Sequence, residues 1–286
     1  MTAVNRYMSY LLVDGALLEA EREEMPSVTG FSEWLHAIYL GEGASSGPLL
    51  IDIEAVLKHE AVGQMMGLVN GRFPQLHLSY LESVLPTDQL VAHLRQFRAI
   101  QAEDGRLFTL RFADNVALAA LADVLLPAQW KALMDPIQRW SVHGRDGAAR
   151  TLASCYRHEP AAPAPLTLSA DQMAALYAQC APDVMLANIR EIRHGEPLPG
   201  TVEEQYRWAV ESRQVWRGLG IDDLLVLRWL TSAAIDSGGA VLTAAALPQL
   251  LTNADKTQLR ADLVAHARAG VQYRNRSPEL SPVLSD

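Results

Sequence analysis

Cysteine is scarce in this sequence, and its scarcity argues against two classes of small stabilised domain. Two cysteines, Cys155 and Cys180, occur among the 286 residues. They form no CxxC pair and have no histidine at a metal-ligand spacing, so neither a zinc ribbon nor a disulfide-rich scaffold is indicated. The pattern is typical of reduced thiols in a reducing compartment, although separation along the chain leaves a disulfide between the two cysteines open.

Long apolar runs are also absent. The apolar run Tyr10–Val13 is followed at once by Asp14, which is not the pattern of a secretory signal. The most apolar stretch, at 116–126, contains Asp123 and ends before Pro127, which makes it too short to cross a bilayer. We therefore expect a cytoplasmic protein with no membrane partner.

Positive charge is in deficit as well. The chain has 24 Lys and Arg against 33 Asp and Glu, which gives a formal net charge of -9. Nucleic acids and anionic membranes attract basic proteins, so neither is expected as a partner. Local catalytic patterns of the GxSxG, HExxH, Walker and GxGxxG kinds are missing, and the histidines are scattered. The sequence therefore predicts no metal site and no cofactor, while a site assembled from distant residues stays open.

What the sequence does contain is enough apolar material for a folded core. Hydrophobic residues make up 49% of the chain, which excludes global disorder. The proline-rich segment EPAAPAP at 159–165 suits neither a helix nor a strand ladder, so we interpret it as a linker. It separates a mixed α/β domain at 1–158 from a helical lobe at 166–270 and a disordered tail at 271–286. The predicted fold class is α+β, with a central sheet in the N-terminal lobe and an all-helical C-terminal lobe.

Hydrophobic periodicity and turn residues predict the individual elements. In the first domain we expect strands at 6–14, 33–40, 48–54, 75–82 and 136–143, the last of these closing the sheet. We also expect a helix at 86–100 with Thr87 as its N-cap, a hairpin at 98–112, and a helix at 115–127. In the helical lobe, Ser169 with Gln172 and Thr201 with Glu204 have the spacing of capping boxes.

The segment DGRLFTLRFAD, at 104–114, carries the most informative local pattern. Gly105 supplies the positive φ angle of a tight hairpin turn, and Asp114 stands directly before a predicted helix whose free amides it can cap. Arg111 can hold that aspartate, or another loop, through its guanidinium. We interpret the pattern as a structural latch; the alternative is that it forms the rim of a partner-binding surface.

Three stretches resemble the adaptor-chaperones of bacterial type VI secretion systems, often called Tap or TEC proteins and first catalogued as a domain of unknown function. They are YLLVDGALL at 10–18, GPLLIDIE at 47–54 and, most specifically, HLRQFRAIQAEDGRLFTLRFADNVAL at 93–118. The resemblance covers residues 7–143. The sequence departs from the family pattern at Ala113, where tyrosine is frequent, and at Asn115, where proline is frequent. The candidate site residues, partner-binding or part of the latch, are Asp14, Gly15, Gly105, Arg111, Phe112 and Asp114.

The resemblance implies an adaptor that is not an enzyme and needs no cofactor. Such adaptors bind a specific effector toxin in the cytoplasm, here one encoded by a neighbouring gene, and deliver it to the VgrG spike protein at the tip of the secretion tube. We hypothesise that the effector binds mainly the N-terminal lobe, so that a chain ending at Pro165 keeps its affinity. Two alternatives stay open: a hydrolase or transferase with a dispersed site in the α/β lobe, and a scaffold subunit that stays assembled.

Overall fold

The structure, a computed structural model, has two compact units. It describes residues 7–19, 33–41, 44, 46–70, 73–152, 160–252 and 255–276. The predicted α+β class is confirmed, because a six-stranded antiparallel sheet is combined with a helical C-terminal region. The units are Met1–Gln179 and Cys180–Asp286. All the described strands lie in the first unit, and the described elements of the second unit are helical.

The elements of the first unit alternate between strands and short helices. Its described strands are β1 (Met8–Asp14), β2 (Leu35–Ala37), β3 (Pro48–Asp52), β4 (Leu78–Ser83), β5 (Ala99–Ala102), β6 (Leu107–Thr109), β7 (Ile137–His143), β8 (Ala149–Thr151) and β9 (Leu166–Leu168). Its described helices are α1 (Gly15–Glu19), α2 (Ile53–Lys58), α3 (Val62–Val69), α4 (Thr87–Gln96), α5 (Asn115–Val124), α6 (Pro127–Met134) and the first part of α7 (Ala170–Ile192).

The six-stranded sheet has the order β2-β3-β1-β4-β7-β8, and each neighbouring pair in it is antiparallel. Its central strand β1 has two apolar faces, because successive side chains of a strand point to opposite sides. Tyr10 and Leu12 join one apolar cluster together with buried residues of α4, α5 and α6. Leu11 and Val13 join another cluster with buried residues of α1, α2 and α3. Helices therefore cover both faces of the sheet.

A smaller sheet has the order β6-β5-β9. β5 and β6 form the hairpin predicted around Asp104 and Gly105, and Gly105 has the positive φ of 83° that the turn requires. β9 adds to the other edge of β5 in parallel, with Leu166 opposite Ile100. Leu166 and Leu168 are both fully buried, in the same cluster as the buried residues of α4, α5 and α6.

The division between the units lies later in the chain than the predicted linker at 159–165, because the residues after that segment complete the first unit. β9 adds two leucines to its core. Near the start of α7, Gln172 Nε2 donates to the backbone oxygen of Val124 at 2.9 Å and to Oε1 of Gln129 at 2.7 Å. The predicted capping box is also present, since Ser169 Oγ accepts from the Gln172 amide at 3.2 Å. The division therefore falls within α7.

Two predicted limits were wrong, and Asp52 takes part in the observed structure at both. β3 ends at Asp52 instead of residue 54, since Asp52 Oδ1 accepts a hydrogen bond from the Ala55 amide at 3.0 Å and caps α2. Thr87 is the first residue of α4 and not its N-cap, a position that Pro86 occupies. The Thr87 hydroxyl instead donates to Asp52 Oδ2, which joins the starts of α2 and α4.

Two edge strands also differ from their predictions. β2 covers Leu35–Ala37 rather than 33–40. It is an edge strand that pairs with β3; the Ile38 amide still donates to the Pro48 oxygen at 2.9 Å, and the chain bends at Ile38 and Tyr39. The strand predicted to close the sheet, β7, is followed by β8 after a turn in which Gly147 has a φ of 78°. All three residues of β8 are exposed, so they lack the apolar alternation by which a strand is recognised in sequence.

The second unit has an apolar core of its own. Its described elements are the end of α7, α8 (Val202–Gly218), α9 (Leu224–Asp236), a 3₁₀ turn (Ala240–Thr243), α10 (Leu247–Leu251) and α11 (Lys256–Arg276). The capping box predicted at Thr201 and Glu204 is present, with the Thr201 amide 2.8 Å from Glu204 Oε2. Trp208 is buried in the core and lies over Gly200 and Gly239, where a Cβ atom would come within 2.7 Å and 2.6 Å of its ring.

α11 continues to Arg276, into the first part of the segment 271–286 for which the sequence predicts a disordered tail. Good helix formers such as alanine, glutamine and arginine occur on both sides of Gly270, and one glycine is a modest penalty within a long helix. Residues 277–286 lie outside the described residues, and so does Cys155. The question of whether Cys155 pairs with Cys180 therefore stays where the sequence left it.

Ending the chain after Pro165 should strongly destabilise the first unit, because this removes β9 and the contacts of Gln172. Burial of the two leucine side chains of β9 alone is worth about 3–6 kcal/mol, a large share of the stability of most domains. A chain that ends after Gln179 keeps these features and serves as the control. Urea unfolding followed by tryptophan fluorescence should give a cooperative transition for the longer chain and an earlier or absent one for the shorter. Equal stability of the two would contradict the assignment of β9 to the first unit.

Candidate functional site

Three of the six candidate residues form an ion cluster, which we name the Arg111 latch: Asp14, Arg111 and Asp114. Arg111 Nη2 lies 3.0 Å from Asp14 Oδ2 and 3.5 Å from Asp114 Oδ2. Both carboxylates are largely buried, whereas 45% of the arginine side chain is exposed. Asp14 ends β1 and Asp114 stands directly before α5, so the cation joins the central strand to a helix that covers the sheet.

Each aspartate of the latch divides its two carboxylate oxygens between a helix and the arginine. Asp114 Oδ1 accepts from the amides of Val116 at 2.9 Å and Ala117 at 3.4 Å, which confirms the predicted N-cap of α5. Asp14 Oδ1 accepts from the Leu17 amide at 3.0 Å, at the start of α1. In both aspartates the other oxygen, Oδ2, faces Arg111. One guanidinium therefore fixes the starts of two helices.

Burial and pairing set the pKa values in the latch. Burial raises the pKa of Asp114; the charge of Arg111 opposes this rise without cancelling it, and the charge of Asp14 adds to it. Burial by itself lowers the pKa of Arg111, but the charges of Asp14 and Asp114 outweigh this and the net shift is upward. Arg111 consequently stays charged, and burial disfavours the ionised form of Asp114.

Asn115 is a structural residue of the site that the sequence interpretation missed. Its side chain is buried, and Nδ2 donates to the backbone oxygens of Gln75 at 3.1 Å and Leu78 at 2.8 Å. The backbone amide of Asp14 donates to the oxygen of His77 in the same segment, at 2.8 Å. Both sides of the latch thus hold the chain that leads into β4. The sequence did contain one signal of this role. Asn115 stands where the family that the sequence resembles frequently has proline, and a proline side chain could not donate these hydrogen bonds.

The surface beside the latch has a depression of about 530 Å³. Tyr39 belongs to both features: its ring lines the depression, and its hydroxyl donates to the backbone oxygen of Leu110 at 2.8 Å. Burial, and then the charge of Asp14, raise the pKa of Tyr39 to about 12, so the hydroxyl remains a donor at neutral pH. The other side chains in the lining that matter below are Leu40, Val91 and Arg95.

Two of these lining side chains are held differently. Arg95 is fixed, because its Nε donates to the backbone oxygen of Ile38 at 2.9 Å and its Nη2 to that of Ala37 at 3.2 Å. Leu40 is 68% exposed, so most of its apolar side chain is in contact with water. The depression therefore combines a rigid charged wall with an apolar side chain open to solvent.

The other three candidate residues lie outside the ion cluster. Phe112 is fully buried, with its ring centroid 6.5 Å from that of Trp140 in an edge-to-face arrangement, so its role is core packing. Gly15 begins α1, and its amide donates to the oxygen of Gly47 at 3.1 Å. Gly105 occupies the hairpin turn between β5 and β6. None of the three adds a charged or hydrogen-bonding side chain to the latch.

Within the described ranges, no group of three or more His, Cys, Asp and Glu side chains is arranged to hold a metal ion. None of the described helices combines the length and the apolar character needed to cross a bilayer. What the latch does chemically is to balance two buried carboxylates with one cation that reaches the surface.

Comparison with known families places the site within a recognised sequence domain. Residues 9–132 match the model of a family described as Domain of unknown function (DUF4123). The matched range starts inside β1, ends inside α6 and contains all six candidate residues. No curated protein and no solved structure matches the chain.

Replacing Arg111 with methionine should lower the free energy of unfolding, because it leaves Asp14 and Asp114 without their cation. Removing one partner of a fully buried ion pair costs about 3–5 kcal/mol. Since 45% of the arginine side chain is exposed, screening by solvent reduces this, and we expect about 1–3 kcal/mol in urea unfolding at pH 7. Arg106→Met is the control: Arg106 pairs with Asp104 at 2.6 Å on an exposed turn, and its loss should have a much smaller effect than the loss of Arg111. Equal effects of the two substitutions would contradict the latch.

Asp114→Asn should gain stability relative to the unchanged chain as the pH rises from about 4 to 7. The folded-state pKa of Asp114 is raised by burial, so its contribution to stability is complete below the unfolded value of about 3.9 and is lost as the pH rises through the folded value. Asparagine keeps the oxygen that caps α5 and does not ionise. The measurement is the difference in free energy of unfolding between variant and unchanged chain, followed across this pH range.

Asp104→Asn provides a control of opposite sign. Hydrogen bonds from the backbone and side chain of Arg106 lower the pKa of Asp104, so its contribution is present above the unfolded value and is lost as the pH falls. This variant should therefore lose stability relative to the unchanged chain as the pH rises from about 2.5 to 4.5. A trend of the same sign for both variants would show that Asp114 is not the source of the effect.

Proposed function

We propose that this chain is a cytoplasmic adaptor-chaperone of a type VI secretion system. In this role it binds a specific effector toxin, encoded by a neighbouring gene, and helps to load it onto the VgrG spike protein for export. The proposal assigns the chain no catalytic step and no cofactor. Its partners are proteins, and neither a nucleic acid nor a membrane takes part.

The observation that carries the proposal is that the family match and the resemblance fall on the same residues. The match at 9–132 includes the most specific stretch, 93–118, with Arg111 and Asp114. The matched family is associated with type VI secretion effector adaptors. The latch geometry gives Arg111 and Asp114 a role in holding the domain together, which agrees with their place in the stretch that resembles the family most specifically.

Within the first unit, we propose the depression beside Tyr39 as the surface that contacts the effector. Tyrosine and arginine are enriched at the energetic centres of interfaces, and the depression presents Tyr39 and Arg95 beside the exposed Leu40. The hydrogen bonds of Arg95 and of the Tyr39 hydroxyl hold the walls before a partner arrives. A surface that is already ordered loses less entropy on binding, which favours affinity. This placement agrees with the hypothesis that the effector binds mainly the N-terminal lobe.

Co-expression with the products of adjacent genes tests the adaptor role. The full chain should form a soluble one-to-one complex with a toxin-like neighbour, and addition of VgrG should give a ternary complex in size-exclusion chromatography with light scattering. Release of the adaptor after loading separates this role from that of a scaffold subunit, which would stay assembled. Failure of every neighbouring product to bind the folded chain would overturn the proposal.

Leu40→Asp should weaken effector binding by ten-fold or more, because it places a charge where the partner covers an apolar side chain; ten-fold corresponds to about 1.4 kcal/mol. Leu57→Asp is the matched control: Leu57 is 64% exposed, close to the 68% of Leu40, and lies on α2 over the other face of the sheet. Affinities from isothermal titration calorimetry should show no change for the control. Equal weakening by both substitutions would show that the effector contacts another surface of the chain. The co-expression experiment tests separately whether the chain binds an effector.

A further inference from the structure

The second unit has a groove of about 450 Å³ that is lined by α7, α9, α11 and the residue after α7. Its lining residues recur at intervals of three and four along each helix, which places them on a single face of that helix. α9 supplies the longest row, which runs from Leu225 to Asp236 and includes Trp229. α11 adds a row from Arg260 to Arg268. The groove is therefore open along several turns of two neighbouring helices.

The groove is apolar at its base and along its walls. Ala233 and Ala267 are small and buried, so they leave room where larger side chains would fill the space. Ile192 is 53% exposed and Val264 is 42% exposed, on different helices. Aliphatic side chains that line a concave surface and remain open to water are typical of a site that a partner covers.

Arginines surround this apolar surface. Arg193 is paired, with Nη1 2.9 Å from Asp236 Oδ1 and Nη2 2.6 Å from Ser232 Oγ. The other three arginines in the lining, all without a carboxylate partner in the part of the chain that the structure describes, are Arg228, Arg260 and Arg268. The chain as a whole carries a net charge of -9. Positive charge is thus concentrated around an apolar groove in an acidic protein.

We propose that this groove binds an acidic, amphipathic α-helix of a partner protein. Apolar side chains of the ligand helix, at spacings of three and four residues, would enter the groove between Ile192 and Val264. Its flanking carboxylates would pair with Arg228, Arg260 and Arg268, since guanidinium groups bind carboxylates with directed hydrogen bonds. The row on α9 extends over about 16 Å at about 1.5 Å per residue, which is the length of roughly three helical turns.

Trp229 gives the groove an aromatic side chain of the kind that dominates the energetics of many interfaces. It lies in the same row of α9 as Arg228. A ligand helix would therefore meet an aromatic surface and a cation on the same helix. This site is separate from the depression beside Tyr39, and the inference does not rest on the adaptor role.

The test uses two synthetic helical peptides of about 18 residues, long enough for a marginally stable helix. Both carry the same leucine stripe at spacings of three and four, and their remaining positions are rich in glutamate in one peptide and in lysine in the other. Fluorescence anisotropy with the full chain should show at least ten-fold tighter binding of the glutamate peptide. The difference in affinity between the two peptides should shrink as the salt concentration is raised, because salt screens the charge pairs. Equal affinity for the two peptides would overturn the proposal.

Charge reversal within the groove adds a second measurement. Arg228→Glu combined with Arg260→Glu should weaken binding of the glutamate peptide by at least ten-fold and strengthen binding of the lysine peptide. Arg207→Glu is the control, because Arg207 is an exposed arginine of the same unit, on α8 and outside the groove lining. Circular dichroism verifies that each variant is folded. Unchanged preference in the double variant, or an equal change in the control, would show that the groove does not select the acidic helix.

Ile192→Asp separates the apolar contribution from the charges and identifies a competing occupant. It should abolish binding of the glutamate peptide while Arg228, Arg260 and Arg268 remain in place. Sedimentation velocity of the unchanged chain without peptide should show that the groove is not an interface between copies. A dimer that Ile192→Asp dissociates would assign the groove to a second copy of the chain and would overturn the proposal.

Discussion

The N-terminal unit depends on the contact between Arg111 and the two aspartates, Asp14 and Asp114. β1 lies at the centre of the six-stranded sheet, and α5 covers one face of that sheet. Asp14 ends the strand and Asp114 begins the helix, so a single guanidinium ties the middle layer of the unit to an outer layer. Two buried carboxylates at this distance would repel each other without a cation between them. The remaining contacts around them, such as those of Asn115, follow from that closure.

The latch and the depression beside Tyr39 are connected through neighbouring residues of the chain. The hydroxyl of Tyr39 bonds to the backbone of the residue before Arg111, so the wall of the depression is fixed by the same segment that carries the latch. In the second unit, the groove places arginines that have no carboxylate partner among the described residues beside apolar side chains.

Features set by neighbours in sequence were predictable, and features set by distant neighbours were not. The hairpin turn at Gly105, the cap at Asp114 and the two capping boxes follow from residues within a few positions of one another. Asp14 and Arg111 are 97 residues apart, so their pairing left no local trace; only their matches to a family pattern drew attention to both. β8 escaped detection because an exposed edge strand needs no apolar alternation. The depression could not be predicted either, because separate elements of the fold bring its side chains together.

The parallel pairing of β9 with β5 has a consequence for how the protein is made. β5 and β6 emerge from the ribosome as a hairpin well before the proline-rich segment, yet the second partner of β5 is β9, on the far side of that segment. Until Leu166 and Leu168 have been synthesised, one edge of β5 offers unpaired amide and carbonyl groups. An open strand edge is a template for association with other chains. When the residues after the prolines have been made, the open edge passes from β5 to β9, a strand of three residues whose two leucines are buried. A very short edge strand is a poor template for association with other chains.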